Sequence, residues 1–117
     1  MRLSKIFVLA AALALSGCHS AHIDAIISNR TAAPITLIEV DYPSASFGVQ
    51  TLAPGADFHY RFKVLGSGAT TVQWTDADNR EHKKTGPILH ESDEGGLSVQ
   101  FNPGDEVVWS EQFSSHP

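Results

Sequence analysis

The sequence predicts an all-β domain: an antiparallel, immunoglobulin-like β-sandwich of about seven strands, after an N-terminal signal helix. Beyond residue 21, short segments of alternating apolar and polar residues are separated by turn residues roughly every 8–12 positions. No segment there has the apolar spacing of three and four residues that an amphipathic helix requires. A small open barrel would produce the same pattern and is the alternative.

Segments with the residue pattern of a strand follow one another along the chain. The clearest is 57–65, in which apolar and charged side chains alternate, so one face is buried and the other meets water. Segment 80–84 is charged throughout, which predicts an exposed edge strand that resists pairing with other chains. The predicted strands, seven or eight in all, are drawn from 22–28, 35–42, 47–52, 57–65, 70–75, 80–84, 88–90, 97–101 and 107–109.

Two of the turns between strands have proline followed by glycine, at Pro54-Gly55 and Pro103-Gly104. Proline presets φ and glycine tolerates a positive φ, so each pair is typical of a type II turn. The inward-facing apolar residues of the strands predict the core: Ile38, Val40, Tyr42, Phe58, Tyr60, Phe62, Val72, Trp74, Leu97, Val99, Phe101, Val107 and Trp109.

The N-terminal segment has the pattern of an export signal. Arg2 and Lys5 precede an apolar run, 6–15, that is too short for a membrane span of roughly 20 residues but fits the core of a signal peptide. A motif of four residues ends the segment: Leu15, Ser16, Gly17 and Cys18. This motif resembles the lipobox of bacterial lipoproteins, in which small residues admit the signal peptidase and the cysteine thiol receives a diacylglycerol.

Together, the lipobox resemblance and the strand pattern divide the chain into four regions: a signal peptide (1–17), a lipidated tether (18–21), a β-sandwich domain (22–113) and a flexible tail (114–117). Cys18 would then hold the domain at the membrane through its lipid. His19 stands where an aspartate would retain a lipoprotein in the inner membrane, so the resemblance implies the periplasmic face of the outer membrane in a Gram-negative source. An ordinary secretory signal with a chance cysteine and an uncleaved helix are the alternatives.

Acidic residues outnumber basic ones. Eight Lys and Arg stand against thirteen Asp and Glu, and loss of Arg2 and Lys5 with the signal peptide takes the net charge from −5 to −7. An acidic domain argues against nucleic acid and against charge-driven binding to anionic lipids. Cys18 is the only cysteine, so an intramolecular disulfide is excluded and the domain depends on core packing.

Three histidines, His59, His82 and His90, are weak candidates for a metal site because imidazole with nearby carboxylates suits zinc or copper. None has ligand spacing, and scattered surface histidines are the simpler interpretation. Segment 76–79 begins like a calcium loop, but the residues that follow do not continue it. A looser calcium site with Asp93 and Glu94 remains an alternative to a solvated acidic turn. No cofactor is predicted.

No nucleophile has a recognisable setting, so the sequence predicts that the protein is not an enzyme. Segment 41–48 reads as a loop with an aromatic residue near each end, Tyr42 and Phe47. Both are candidate partner-binding residues, since an exposed aromatic side chain is a common anchor at protein interfaces. In the alternative, Phe47 packs into the core.

The middle third of the chain carries a second resemblance. Its residues are 39–43, 46–48, Leu52 with Pro54-Gly55, and Phe58 with Tyr60. They are similar to small uncharacterised bacterial lipoproteins, a resemblance that implies no activity.

The leading functional hypothesis is a noncatalytic interaction or structural module of the cell envelope, anchored by Cys18 and meeting an envelope protein partner near the bilayer. The tether between Cys18 and the first strand is short, which favours a partner close to the membrane surface. A periplasmic metal-binding protein is the second hypothesis, and a small envelope enzyme is the third.

Overall fold

The computed structural model describes residues 20–114, which form eight β-strands. The expected signal helix and Cys18 lie outside these residues. Within the described part, no helix is long and apolar enough to cross a membrane. The strands are β1 (Ile23–Asn29), β2 (Ile35–Tyr42), β3 (Ala45–Leu52), β4 (Asp57–Phe62), β5 (Gly68–Thr75), β6 (Glu81–Leu89), β7 (Glu94–Asn102) and β8 (Glu106–Ser114).

The strands make two four-stranded sheets, which confirms the predicted sandwich. The first sheet has the order β4-β1-β7-β8 and the second the order β3-β2-β5-β6. All neighbours are antiparallel except β1 and β7, which are parallel. Each connection reverses the direction of the chain, so all odd-numbered strands run the same way. Two odd-numbered strands placed side by side must therefore be parallel, and this pair departs from the all-antiparallel prediction.

Two breaks between strands that the sequence predicts are absent from the structure. Segment 41–48, expected to be a loop, belongs to the β2–β3 hairpin, in which Tyr42 pairs with Ala45 around a two-residue turn. The segments 80–84 and 88–90 form one strand, β6, because a bulge in its pairing with β5 accommodates the residues between them. Strand β6 does lie at a sheet edge, as its charges predict.

Gly86, within β6, marks a close approach between the two sheets. A Cβ atom at this position would lie 2.4 Å from the indole of Trp109 in β8 and 2.5 Å from Oγ1 of Thr70. Only glycine therefore lets the edges of the two sheets meet here.

The core lies between the sheets and contains most of the predicted residues. Tyr42, Phe58, Val107 and Trp109 are only partly buried, and Tyr60 is 40% exposed, so its place in the predicted core is wrong. The predicted core list omits eight buried residues, of which Phe47 had burial as its alternative interpretation: Ile23, Ala25, Ile27, Ile35, Phe47, Leu52, Val64 and Leu89. Three of these belong to β1, which is buried deeply because it lies between β4 and β7.

The strand directions give the sandwich two distinct ends. The N-terminal end comprises the segments 20–22, 43–44, 63–67 and 90–93 and the end of β8. The distal end comprises the loops 30–34, 53–56, 76–80 and 103–105. The chain thus enters the domain, and leaves its last strand, at the same end.

Candidate functional site

An open cavity of about 210 Å³ lies at the distal end, between the loops that follow β1, β5 and β7. The buried side chains of Ile35, Trp74 and Phe101 contribute apolar surface to its lining. Aspartates of two different turns also line it: Asp76, Asp78 and Asp105. The cavity therefore combines an apolar floor with an acidic rim, a combination suited to orienting a bound group.

Asp76 begins the turn between β5 and β6. Its Oδ1 accepts hydrogen bonds from the backbone N–H groups of Asp78 (2.9 Å) and Arg80 (3.0 Å), an arrangement that aspartate commonly makes at turns. Its Oδ2 lies 2.7 Å from Nε2 of His82. The hydrogen bond with His82, followed by that from Arg80, holds the pKa of the Asp76 carboxyl below its usual value.

His82 projects from β6 on the same face as Trp74 of β5, since the two residues are direct partners in the register. The imidazole stacks on the indole with ring centroids 5.0 Å apart and planes 15° apart. The indole in turn meets the ring of Phe101 edge to face at 5.0 Å. This stack fixes the plane of the imidazole at the margin of the cavity.

Asp105 reaches the same place from the other sheet, in the turn between β7 and β8. Its φ of 58° lies in the left-handed region, which aspartate enters more readily than most residues. Its Oδ1 is 3.7 Å from Nε2 of His82. One ligand atom from each of Asp76, His82 and Asp105 lies within 4.8 Å of the others. Lys84 donates a hydrogen bond to the backbone oxygen of Asp105, at 3.0 Å.

Asn29, at the end of β1, supports another wall of the cavity. Its side chain is fully buried and donates hydrogen bonds of 2.9 Å to the backbone oxygens of both Ala33 and Leu52. Its Oδ1 accepts from the N–H (2.9 Å) and the hydroxyl (2.7 Å) of Thr31. Asn29 thus ties the loop 30–34, which lines the cavity, to β3.

The structure does not bring the three candidate histidines together. His59 is exposed on β4 in the first sheet, and His90 lies at the N-terminal end with Nδ1 3.8 Å from Asp93. Only His82 lies beside the distal cavity. Asp76 and Asp93 lie at opposite ends of the sandwich, so the looser calcium site considered from the sequence does not form.

The predicted aromatic pair lies away from the cavity. Phe47 is only 6% exposed and stacks on Tyr60 with centroids 4.6 Å apart, so it packs into the core instead of forming an exposed anchor. Tyr42 is half-buried beside Phe62, at 4.2 Å. Burial, and secondarily the neighbouring Tyr60, raises the pKa of the Tyr42 hydroxyl. Partner binding at Tyr42 stays a prediction.

Sequence reasoning singled out His82 but missed Asp105. The acidic turn at 76–79 gave a hint of the site, whereas the second turn carries only a Pro-Gly pattern before its aspartate. The chain matches no family model, no curated protein and no solved structure. Its function is therefore inferred from its own residues and their geometry.

Proposed function

We propose that the protein is a noncatalytic interaction module of the bacterial cell envelope, anchored through a lipid on Cys18, that binds an envelope partner with its distal end. One observation carries this proposal: the chain enters the domain at the end opposite the cavity. In a Gram-negative source the anchor would lie in the periplasmic face of the outer membrane, as the residue after Cys18 predicts.

The short tether supports a fixed separation between the membrane and the cavity. Cys18 precedes Ser20, the first described residue, by two positions, which allows a reach of about 7 Å. A strand of nine residues such as β8 spans about 30 Å. An anchor at Cys18 would therefore keep the N-terminal end at the bilayer and hold the distal cavity about 30 Å from its attachment point.

The chemistry of the distal cavity supports a partner segment with a basic residue beside an apolar one. The apolar floor formed by Ile35, Trp74 and Phe101 favours burial of an aliphatic or aromatic group. The aspartates of the rim attract a lysine or arginine and orient its approach. This location replaces the Tyr42–Phe47 segment as the proposed contact, since Phe47 is buried.

A capture experiment with envelope membranes tests this function. The lipidated protein is compared with Cys18→Ala, with Ala77→Arg at the cavity and with Ala69→Arg near the N-terminal end; both alanines are exposed. We expect one envelope protein to be recovered with the lipidated chain and with Ala69→Arg, and to be lost with Ala77→Arg. Charge repulsion and the volume of the new side chain both act against binding at the cavity.

Two outcomes would contradict the proposal. Recovery that survives Ala77→Arg but fails with Ala69→Arg would place the contact at the N-terminal end. Equal recovery with Cys18→Ala from intact envelopes would show that the anchor has no part in meeting the partner. A direct titration of the recovered partner with each purified arginine variant distinguishes a loss of binding from a low yield of the variant.

A further inference from the structure

We propose that Asp76, His82 and Asp105 form a binding site for a divalent transition-metal ion of the zinc class. This inference goes beyond the interaction function and does not depend on the identity of a protein partner. It also differs from the set His59, His82 and His90, since only one histidine takes part. The other two ligands are carboxylates that the turns 76–80 and 103–105 place on either side of it.

The distances between the ligand atoms fit one small ion after a minor adjustment. Nε2 of His82 is 2.7 Å from Oδ2 of Asp76 and 3.7 Å from Oδ1 of Asp105. Zinc bonds of about 2.0–2.2 Å in tetrahedral geometry place neighbouring ligand atoms about 3.4 Å apart. On zinc binding, the distance from His82 to Asp76 would lengthen and the distance from His82 to Asp105 would shorten, each by less than about 1 Å.

Two of the three ligands are already oriented. The backbone N–H groups of Asp78 and Arg80 occupy Oδ1 of Asp76, which leaves Oδ2 to face His82. The stack on Trp74 fixes the imidazole plane. In the metal-bound form Nε2 supplies its lone pair to the ion, and the imidazole proton resides on Nδ1.

Asp105 is the adjustable ligand. Its side chain is 53% exposed, so it can rotate toward the ion without disturbing the core. The Lys84 ammonium donates a hydrogen bond to the backbone oxygen of Asp105. That contact leaves the Lys84 charge close to the site, so Lys84→Met should strengthen metal binding modestly through lost repulsion.

The donor set selects the class of ion. One imidazole and two carboxylates suit zinc, whereas calcium requires 6–8 oxygen ligands. Asp76 and Asp105 also line the distal cavity, which gives a fourth coordination position access to water or to a side chain of a partner. A bound ion would neutralise Asp76 and Asp105, so Asp78 would be the cavity aspartate left to attract a basic group, and the open position of the ion would accept a side chain of the partner.

A titration of zinc chloride into the detergent-solubilised full chain, followed by calorimetry, tests the site. The variants are His82→Gln and Asp105→Asn, and the matched controls are His59→Gln and His90→Gln. We expect one zinc ion per chain, with affinity lowered at least about tenfold in the first two variants and changed less than about twofold in the controls. Cobalt(II) should give visible tetrahedral bands with the wild type and lose them with His82→Gln.

The controls make each result decisive. No zinc binding by the folded wild type at about 100 µM would overturn the proposal. Equal weakening by His59→Gln or His90→Gln would overturn it as well, because it would indicate scattered surface binding. Asp105 lies in an exposed turn, so Asp105→Asn tests the site even if His82→Gln weakens folding, which thermal unfolding monitors. A failure here leaves the outcome of the capture experiment unaffected.

Discussion

The two ends of the sandwich are built from the same kinds of loops but held together differently. At the N-terminal end, the backbone N–H of Leu65 donates a hydrogen bond to the hydroxyl of Ser44. The backbone N–H of Glu91 donates one to the hydroxyl of Ser67, and both of these bonds are exposed to solvent. At the distal end, the fully buried Asn29 joins the loop 30–34 to the end of β3. The hydrogen bond between Asp76 and His82 ties the turn 76–80 to β6.

From this difference we expect the N-terminal end to tolerate substitution more readily than the distal end. Exposed hydrogen bonds contribute little, because water replaces either partner at small cost. Buried polar groups cost free energy unless every partner is in place, so a network around Asn29 specifies one arrangement of the loops. Among the described residues, no buried side-chain nitrogen or oxygen lacks a hydrogen-bond partner. Because the Asn29 network lies at the distal end, we expect that end to be the one preorganised for binding.

The largest contrast should come from removing a polar side chain at each end. Asn29→Ala should lower the free energy of unfolding by about 3 kcal/mol, since it removes four hydrogen bonds, among them the buried one to the Leu52 oxygen. Ser44→Ala should change it by less than about 0.5 kcal/mol. Urea unfolding at neutral pH measures both. Similar losses in the two variants would mean that the ends are held equally, contrary to this account.

Acid titration sharpens the comparison. The pKa of Asp76 is lowered mainly by His82, and that of Asp57 mainly by the Ser28 hydroxyl and then by Arg30. A carboxyl whose pKa is lowered by folding stabilises the fold fully at pH values above its unfolded pKa of about 3.9. This stabilisation is lost as the pH falls through the pKa of the folded state.

Asp76→Asn should therefore make the free energy of unfolding less steeply dependent on pH below about 4. Asp57→Asn should do the same, and the double variant should flatten the dependence further. Urea unfolding at a series of pH values supplies the measurement. If neither substitution changes the slope, these two carboxyls do not contribute to the pH dependence of the free energy of unfolding, contrary to this account.

The smallest effects are expected from two exposed apolar side chains at or near the N-terminal end. Leu65 and Ile88 are 58% and 60% exposed, so little apolar area is lost from the core when they are replaced. Leu65→Ser and Ile88→Thr should each change the free energy of unfolding by less than about 0.5 kcal/mol. Thermal unfolding checks this, and a loss above about 1 kcal/mol in either variant would mean that the side chain is packed.

Much of the fold could be predicted from the sequence because strand periodicity is local. Alternation in segment 57–65 predicted a strand that the structure has only over Asp57–Phe62 (β4), and charge in segment 80–84 correctly predicted an edge strand, β6. The depth of β1 could not be predicted, because burial depends on which strands flank it. The continuity of β6 was also missed, since a bulge absorbs the Gly86-Pro87 pair that reads as a break.

The candidate site was harder to predict because its parts are distant in sequence. His82 and Asp76 are close along the chain, and each attracted attention as a ligand candidate. Asp105 joins them only because the β7–β8 turn of one sheet packs beside the β5–β6 turn of the other. Period-two patterns give no information about such contacts between sheets.

The orientation of the domain on a membrane tests the central claim most directly. Cys18 is the only cysteine, so after acylation a new cysteine is the only free thiol for a fluorescent label. Leu65→Cys and Ala77→Cys place the label at the N-terminal and distal ends of the lipidated protein in vesicles that contain quencher lipids. We predict strong quenching at position 65 and none at position 77. Quenching at position 77 equal to that at position 65 would contradict a distal end held away from the membrane.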